Sequence, residues 1–151
     1  MSIEPGTDPL NPIDNDTAWV ATQIAEYVAT DGASPQFRPG VPLLLLTVKG
    51  RQSGAWRRTA LIYGEDEGRF VVVASRGGAP RHPVWYLNLR ENSEVYVQVG
   101  ARRFRATART ASQEEKPDLW AKLVAIYPEY ADYQTKTDRE IPVVILDPLD
   151  D

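Results

Sequence analysis

"EVYVQVGARRFRATART", residues Glu94 to Thr110, alternates apolar and polar side chains on both sides of a short glycine-bearing turn. Val95, Val97 and Val99 fall on one face of an extended chain, and Phe104, Ala106 and Ala108 do the same on the far side of "GARR". Side chains of a strand point alternately to its two faces, so the pattern predicts an antiparallel hairpin with one face buried.

Working outward, the same signature recurs. "VPLLLLTVKG", 41–50, is an apolar run between proline and glycine and reads as a buried strand. "RQSGAWR" turns the chain into a second strand, "RTALIYG"; the polar turn "EDEG" leads to "RFVVVAS", the clearest strand of all. These three are expected to form an antiparallel meander, and "IPVVIL", 141–146, closes the set at six strands.

Helices flank them. "TAWVATQIAEYVATDG", 17–32, puts Trp19, Val20, Ile24, Tyr27 and Val28 on one stripe, with Asp16 or Thr17 as cap and Gly32 as terminator. Such a helix packs on a core, lids a cleft or touches a membrane surface. Ser112 and Glu115 form a capping-box pair opening a helix through Leu119, Trp120, Leu123 and Ile126, which Pro128 ends. The expectation is a mainly β, α+β domain: an antiparallel barrel of about six strands under helical cover. No alternating strand and helix rhythm and no Gly-x-Gly-x-x-Gly or Walker loop is present.

The 151 residues suit one domain, expected over 17–151, behind a flexible tail at 1–16. The absence of cysteine removes disulfides and thiolate chemistry, and a single histidine argues against a histidine-based metal centre, so no metal is expected. No apolar run approaches the roughly 20 residues a bilayer needs, and the default expectation is a cytoplasmic protein. The net charge of −4 is unevenly spread: residues 41–109 carry twelve basic and five acidic groups, between acidic ends. That block fits either a groove for phosphate or carboxylate groups or arginines on solvated strand faces.

Three stretches carry candidate chemistry. "GRQSGAWRR", Gly50 to Arg58, sets three arginines and a serine around two glycines; turn N–H groups with guanidinium forks suit an oxyanion, and a plain hairpin loop is the competing reading. "SRGGAPRHPVWYLNLREN", Ser75 to Asn92, leaves its strand through Gly77 and Gly78, and "HPVWYLNL" reads as a short helix with Pro83 near its start. Ser75 and Arg76 then face a cleft with Trp85 or Tyr86 beside a planar ring, unless Trp85 and Leu87 simply plug the barrel. Ser75 lacks a Gly-x-Ser-x-Gly elbow, and His82 lacks a nearby carboxylate to orient it as an acid or base. In "YPEYADYQTKTDRE", Tyr127, Tyr130 and Tyr133 recur at three-residue spacing among polar neighbours, as core aromatics or as a wall of hydroxyls able to orient a carbonyl or nitro oxygen and relay a proton.

Taken together, "LLLLTVKGRQSGAWRRTALIYG", "FVVVASRGGAPRHPVWYLNLREN", "VQVG" and "YPEYADYQTKTDREIPVVIL" resemble the deazaflavin-dependent nitroreductase family of actinobacteria, whose members use coenzyme F420. The likeness runs in order from about Pro42 to Pro148. It implies a split β-barrel like that of FMN-binding flavin reductases and a hydride donated from the deazaflavin of reduced coenzyme F420. It assigns Arg51, Gln52, Ser53, Arg57 and Arg58 to the coenzyme phosphate and its anionic polyglutamate tail. Thr59, Ala60 and Leu61 go to its ring, Ala74, Ser75 and Arg76 to its side, and Trp85, Tyr86 and Asn88 to a closing helix. Tyr130 and Tyr133, the latter also in contact with the coenzyme, join Ser75 around an electron-poor acceptor such as a quinone or a nitro compound, positioning it and assisting proton delivery.

Two departures stand out. Gln52 occupies a position where the family usually has Lys or Arg, which removes a phosphate contact unless Arg51 or Arg58 compensates, and Ala60 replaces a common proline. Both predict weaker coenzyme binding, and Lys136 is expected to alter the acceptor pocket. The rival readings are a carrier of coenzyme or lipid on the same fold and an FMN- or haem-using split-barrel enzyme. A nucleic-acid module is disfavoured by the acidic ends. Peripheral membrane contact through the N-terminal helix, and a monomer or homodimer, complete the expectations.

Overall fold

A computed structural model describes residues 4–33 and 40–149. Its eight strands form one sheet in the order β1-β3-β2-β6-β7-β8-β5-β4: β1 Ile13–Asp14, β2 Leu43–Lys49, β3 Trp56–Ile62, β4 Gly64–Asp66, β5 Arg69–Val73, β6 Glu94–Val99, β7 Arg102–Thr110 and β8 Val143–Pro148. Every pairing is antiparallel except β1 on β3. Four helices, α1 Ala18–Thr30, α2 Val84–Glu91, α3 Lys116–Ile126 and α4 Glu129–Thr135, cover the sheet.

The opening hairpin forms as expected. β6 and β7 pair from Glu94↔Thr107 to Val99↔Arg102. Gly100 takes φ +61° at the first position of the two-residue turn, the place where a hairpin of type II′ needs glycine. Val95, Val97, Ala106 and Ala108 meet Leu44, Leu46, Val48, Phe70, Val72, Val144 and Leu146 in the barrel core. The alternate residues of β5 and β8, Val71, Val73, Val143 and Ile145, face outward onto Leu119, Leu123, Tyr127 and Tyr130. Those strands are buried on both faces, which is why they read as unbroken apolar runs.

The expected meander is not what forms. β5 pairs with β8 and β4, and never with β3, so the two halves of the presumed meander part company after "EDEG". Half of "EDEG" is itself strand β4; the turn proper is Glu67 and Gly68, both at positive φ. The alternation within each strand was local information, whereas partner choice depended on the late return of β8 between β7 and β5.

α1 docks through Val20, Ile24 and Tyr27 on Leu45, and the Tyr27 hydroxyl donates to the Leu43 carbonyl (3.0 Å) and accepts from the Gly100 N–H (2.8 Å). Trp19, expected on that buried stripe, is instead 63% exposed. Its position one residue before Val20 turns it past the edge of a stripe that Ile24 and Tyr27 define. The reciprocal bonds of the capping box form, the Ser112 N–H donating to Glu115 Oε1 (2.9 Å) and the Glu115 N–H to Ser112 Oγ (3.2 Å), but they close the turn that leads into α3, whose own N-cap is Glu115. Of the segment expected as a flexible tail, residues 1–3 lie outside the described residues. From Gly6 on it is hydrogen-bonded to the barrel, Trp56 N–H donating to the Gly6 carbonyl (2.8 Å) and Asn15 N–H to that of Arg58 (2.9 Å).

Candidate active site

The barrel is split between β3 and β5. β3 pairs with β2 along its whole length, but β1 covers its other edge only at Arg57 and Arg58. From Thr59 to Ile62 that edge has no strand partner among the described residues, leaving backbone N–H and C=O groups for something other than a sheet. Beside it lies a cavity of about 1060 Å³, large enough for a multi-ring cofactor with a second small molecule.

The structure brings most of the expected residues to this cavity: Arg51, Gln52, Ser53, Arg57, Arg58, Thr59, Ala60, Leu61, Ser75, Arg76, Trp85, Asn88, Tyr130 and Tyr133 all line it. Two do not. Ala74 is fully buried in the barrel core, and Tyr86 packs there too, its hydroxyl paired with Thr110 Oγ1 at 2.8 Å. On α2 the residues Val84, Trp85 and Asn88 face the cavity, so Tyr86 falls on the opposite face. Sequence reading left unassigned Asp14, Asp16, Thr17 and Trp19, which form a wall from the N-terminal segment.

The glycine turn is closed by its own backbone. Gly50 N–H donates to the Ala55 carbonyl (2.7 Å), Gly54 N–H to that of Gly50 (3.0 Å), and Ser53 Oγ accepts from the Ala55 N–H (3.1 Å). Asn88, buried on α2, accepts on one oxygen both the Arg51 N–H (3.1 Å) and its guanidinium (2.8 Å). Asn88 thus fixes the turn to α2. Arg58 is held by Asp14 through Nε–Oδ1 (2.6 Å) and Nη2–Oδ2 (3.1 Å). The Arg51 and Arg58 guanidinium groups are thus already engaged, whereas the side chains of Arg57 and Arg76 have no hydrogen-bond or carboxylate partner among the described residues.

On the facing wall the chain passes through three left-handed residues in a row, Arg76 (φ +47°), Gly77 (+64°) and Gly78 (+81°). At Gly78 the demand is double, because a Cβ there would stand 2.5 Å from the Tyr133 carbonyl oxygen and 3.1 Å from its Cα. The corner thus rests directly on α4. Arg139 locks it from behind: its guanidinium donates to the carbonyls of Ser75 (2.6 Å), Ala79 (2.8 Å) and Ala74 (3.2 Å) and meets His82 Nδ1 at 3.1 Å. Because Arg139 can only donate, His82 accepts on Nδ1 and is neutral; burial, then the Arg139 and Arg90 charges, push its pKa below the ordinary value. His82 is a structural ring packed at a tilt against Tyr86, with centroids 4.9 Å apart.

The three tyrosines converge as the spacing predicted. Tyr127 and Tyr133 share a hydroxyl contact of 3.1 Å, and the Tyr130 ring stands edge-on to Tyr127 at 5.0 Å. Burial above all, then the neighbouring tyrosines, pushes the Tyr130 phenol well above its usual range, and burial followed by the Tyr133 hydroxyl does the same for Tyr127. Both are proton-bearing donors at neutral pH. The Ser75 hydroxyl, facing the cavity on a residue 8% exposed, has no partner among the described residues. Lys136 does not line the cavity; its ammonium sits 5.5 Å from the Tyr133 ring.

An antiparallel barrel opened along one seam, with a ligand-sized cavity at the opening, is the split β-barrel of flavin-reductase-like oxidoreductases. The family model described as F420H(2)-dependent quinone reductase matches residues 19–148. The chain belongs to this family. An F420H(2)-dependent quinone reductase of Mycobacterium tuberculosis is 41% identical over 128 residues, covering 81% of this chain and 85% of that protein. A solved F420-H2 dependent reductase is 45% identical, with TM-score 0.66, over 70% of this chain and 94% of its own. A second solved relative, described as a domain-swapped dimer, is 38% identical, with TM-score 0.68, over 88% and 100%. The haem storage protein HutZ of Vibrio cholerae, at 14% identity and TM-score 0.56, shares the fold.

Proposed function

We propose that this protein is a reductase that passes a hydride from reduced coenzyme F420 to a quinone, with nitro compounds as further acceptors. The observation that carries the reading is the composition of the cavity: an unpaired strand edge and uncommitted guanidinium groups beside a cluster of tyrosine hydroxyls. These groups fit the coenzyme. Arg57 and Arg76, with the Gln52 and Ser53 N–H groups that the glycine turn's own bonds leave over among the described residues, would hold phosphate and carboxylate oxygens. Thr59, Ala60, Leu61 and Trp85 would hold the ring, the strand edge offering it backbone donors and acceptors. Bound there, reduced coenzyme F420 supplies the hydride.

The chain's own residues orient the acceptor and handle the proton. Tyr130 and Tyr133, with the free Ser75 hydroxyl, donate hydrogen bonds to a carbonyl oxygen and stabilise negative charge building on it. The contact between the Tyr133 and Tyr127 hydroxyls offers a relay for the proton that completes the hydroquinone. Partners are small molecules. A peripheral membrane contact, matching a lipid-soluble quinone, is favoured by Trp19 and Val84, both exposed and both on the cavity wall; sedimentation with lipid vesicles, lost in Trp19→Ser, tests it. No helix among the described residues is long and apolar enough to cross a membrane, and a cytoplasmic location with membrane contact is the reading proposed here.

Titration with reduced coenzyme F420 followed by menadione tests the function. Binding with return of the oxidised deazaflavin absorbance is expected. Binding without reoxidation by any quinone or nitroaromatic would instead make the protein a coenzyme carrier.

A further inference from the structure

Arg58 stands on the cavity wall in β3, just beyond the glycine turn, yet the Nε/Nη2 edge of its guanidinium is taken by Asp14 in a two-point fork. The carboxylate comes from β1, outside the region 19–148 that matches the family. β1 is held without help from that carboxylate: its backbone pairs with Arg57 and Arg58, the Asn15 N–H bonds the Arg58 carbonyl, and Asn15 Nδ2 donates to Thr59 Oγ1 at 3.2 Å. Further along the segment, Gly6 packs against Ile13 and Ala55. The strap is thus built independently of the charge it carries.

Its effect on the site is electrostatic. Asp14 cancels one of the wall's guanidinium charges and takes the Nε/Nη2 edge, one of the two edges on which a guanidinium grips a phosphate or carboxylate at two points. Asp16, on the same wall, adds a second negative charge. Half-buried charges are screened less than exposed ones, so the cancellation reaches an anion in the cavity.

We propose that Asp14 is a specificity-determining positioning residue that withholds Arg58 from the anionic portion of the ligand, setting a weak, tail-discriminating affinity in a site that also lacks a basic residue at Gln52. The proposal rests on the function argued above for the identity of the ligand, but its electrostatics apply to any oxyanion. Removing the charge should tighten binding, a direction that damage to the fold does not produce.

The test compares wild type with Asp14→Asn and Asp14→Ala. Coenzyme F420 and the same deazaflavin riboside without phosphate or tail are titrated by fluorescence at two salt concentrations, and inorganic phosphate is titrated by thermal shift. Expected in both variants are coenzyme binding tighter by about 3- to 10-fold, a steeper salt dependence and unchanged affinity for the phosphate-free riboside. The gain should vanish in the Asp14→Asn/Arg58→Gln double variant. Coenzyme affinity equal to or below wild type in both single variants would overturn the proposal while leaving the reductase reading intact. Failure of every form to bind coenzyme would overturn the reductase reading; a larger phosphate shift in Asp14→Asn would then still support the role of Asp14, and an equal shift would refute it.

Discussion

Gly78 separates two costs that are usually confounded. Alanine at Gly77 or at Gly78 must adopt a left-handed backbone, φ +64° or +81°, which costs roughly 1–2 kcal/mol for a residue with a Cβ. At Gly77 nothing lies within 4 Å of the new methyl, so that cost stands alone. At Gly78 the methyl would meet the Tyr133 carbonyl oxygen at 2.5 Å, a backbone atom with no rotamer to change. Overpacking of this kind adds about 1–3 kcal/mol. For a chain of this length 1 kcal/mol shifts Tm by about 2–4 °C, so Gly78→Ala should melt about 2–12 °C below Gly77→Ala. Relief can come only by moving α4 away, and α4 carries Tyr130 and Tyr133. Turnover should therefore fall in Gly78→Ala and persist in Gly77→Ala. Thermal denaturation and menadione-dependent coenzyme oxidation measure the two effects; coincident melting of the two variants would refute the reasoning that the corner is seated on α4.

Tyr133→Phe removes one neutral hydrogen bond, worth about 1 kcal/mol or roughly 5-fold in rate; coenzyme affinity should hold while kcat drops, and unchanged turnover with several acceptors would contradict its role. Arg139→Gln leaves the carbonyls that hold Ser75 and Ala79 short of donors and should lower Tm and kcat together, with Arg139→Lys recovering part of both. His82 is harder to protonate folded than unfolded, so its stabilising neutral form is full above about pH 6.5 and its contribution is lost as pH falls from there through the depressed folded value. It is the only histidine, so a step in Tm below that pH should disappear in His82→Gln. The Arg109 fork and the Ser112 N–H hold the Glu115 carboxyl far below its ordinary range; its contribution is present above about pH 4.3 and lost on acidification, and Glu115→Gln should flatten the acid limb of the stability curve.

Elements governed by local pattern were legible. The β6–β7 alternation, the Ser112–Glu115 pairing and the tyrosine spacing each act over a few residues and each forms, although the helix after the pairing starts at Lys116 and not directly at Ser112. Pairing order was not legible, because whether β5 meets β3 or β8 depends on a strand 70 residues downstream. The corner glycines could be seen, but the reason for Gly78 could not, since it is the distance to the Tyr133 carbonyl. That Tyr86 faces the core and not the cavity could not be read, because an eight-residue helix offers two faces and only tertiary contact says which one meets the cavity. Arg139 sits between Asp138 and Glu140, an arrangement that reads as solvated charge; its three carbonyl partners come from about 60 residues upstream.

Charge is where sequence and structure diverge most usefully. The basic block of residues 41–109 counts as strongly positive, yet much of it is neutralised in place: Arg58 by Asp14, Arg69 by Asp66, Arg105 by Glu94 and Arg109 by Glu115. Arg51 is directed at Asn88, with Glu91 3.8 Å away. Among the described residues, the guanidinium groups that line the cavity without a hydrogen-bond or carboxylate partner are those of Arg57 on the strand side and Arg76 on the corner side. On the function proposed above, two guanidinium groups carried by β3 and by the corner after β5 would suit a ligand with more than one anionic group. They also tie occupancy to the strained corner, since Arg76 itself adopts φ +47°. On the function proposed above, an oxyanion held by Arg76 would bear on the same strained corner that carries the Ser75 hydroxyl, one residue before it.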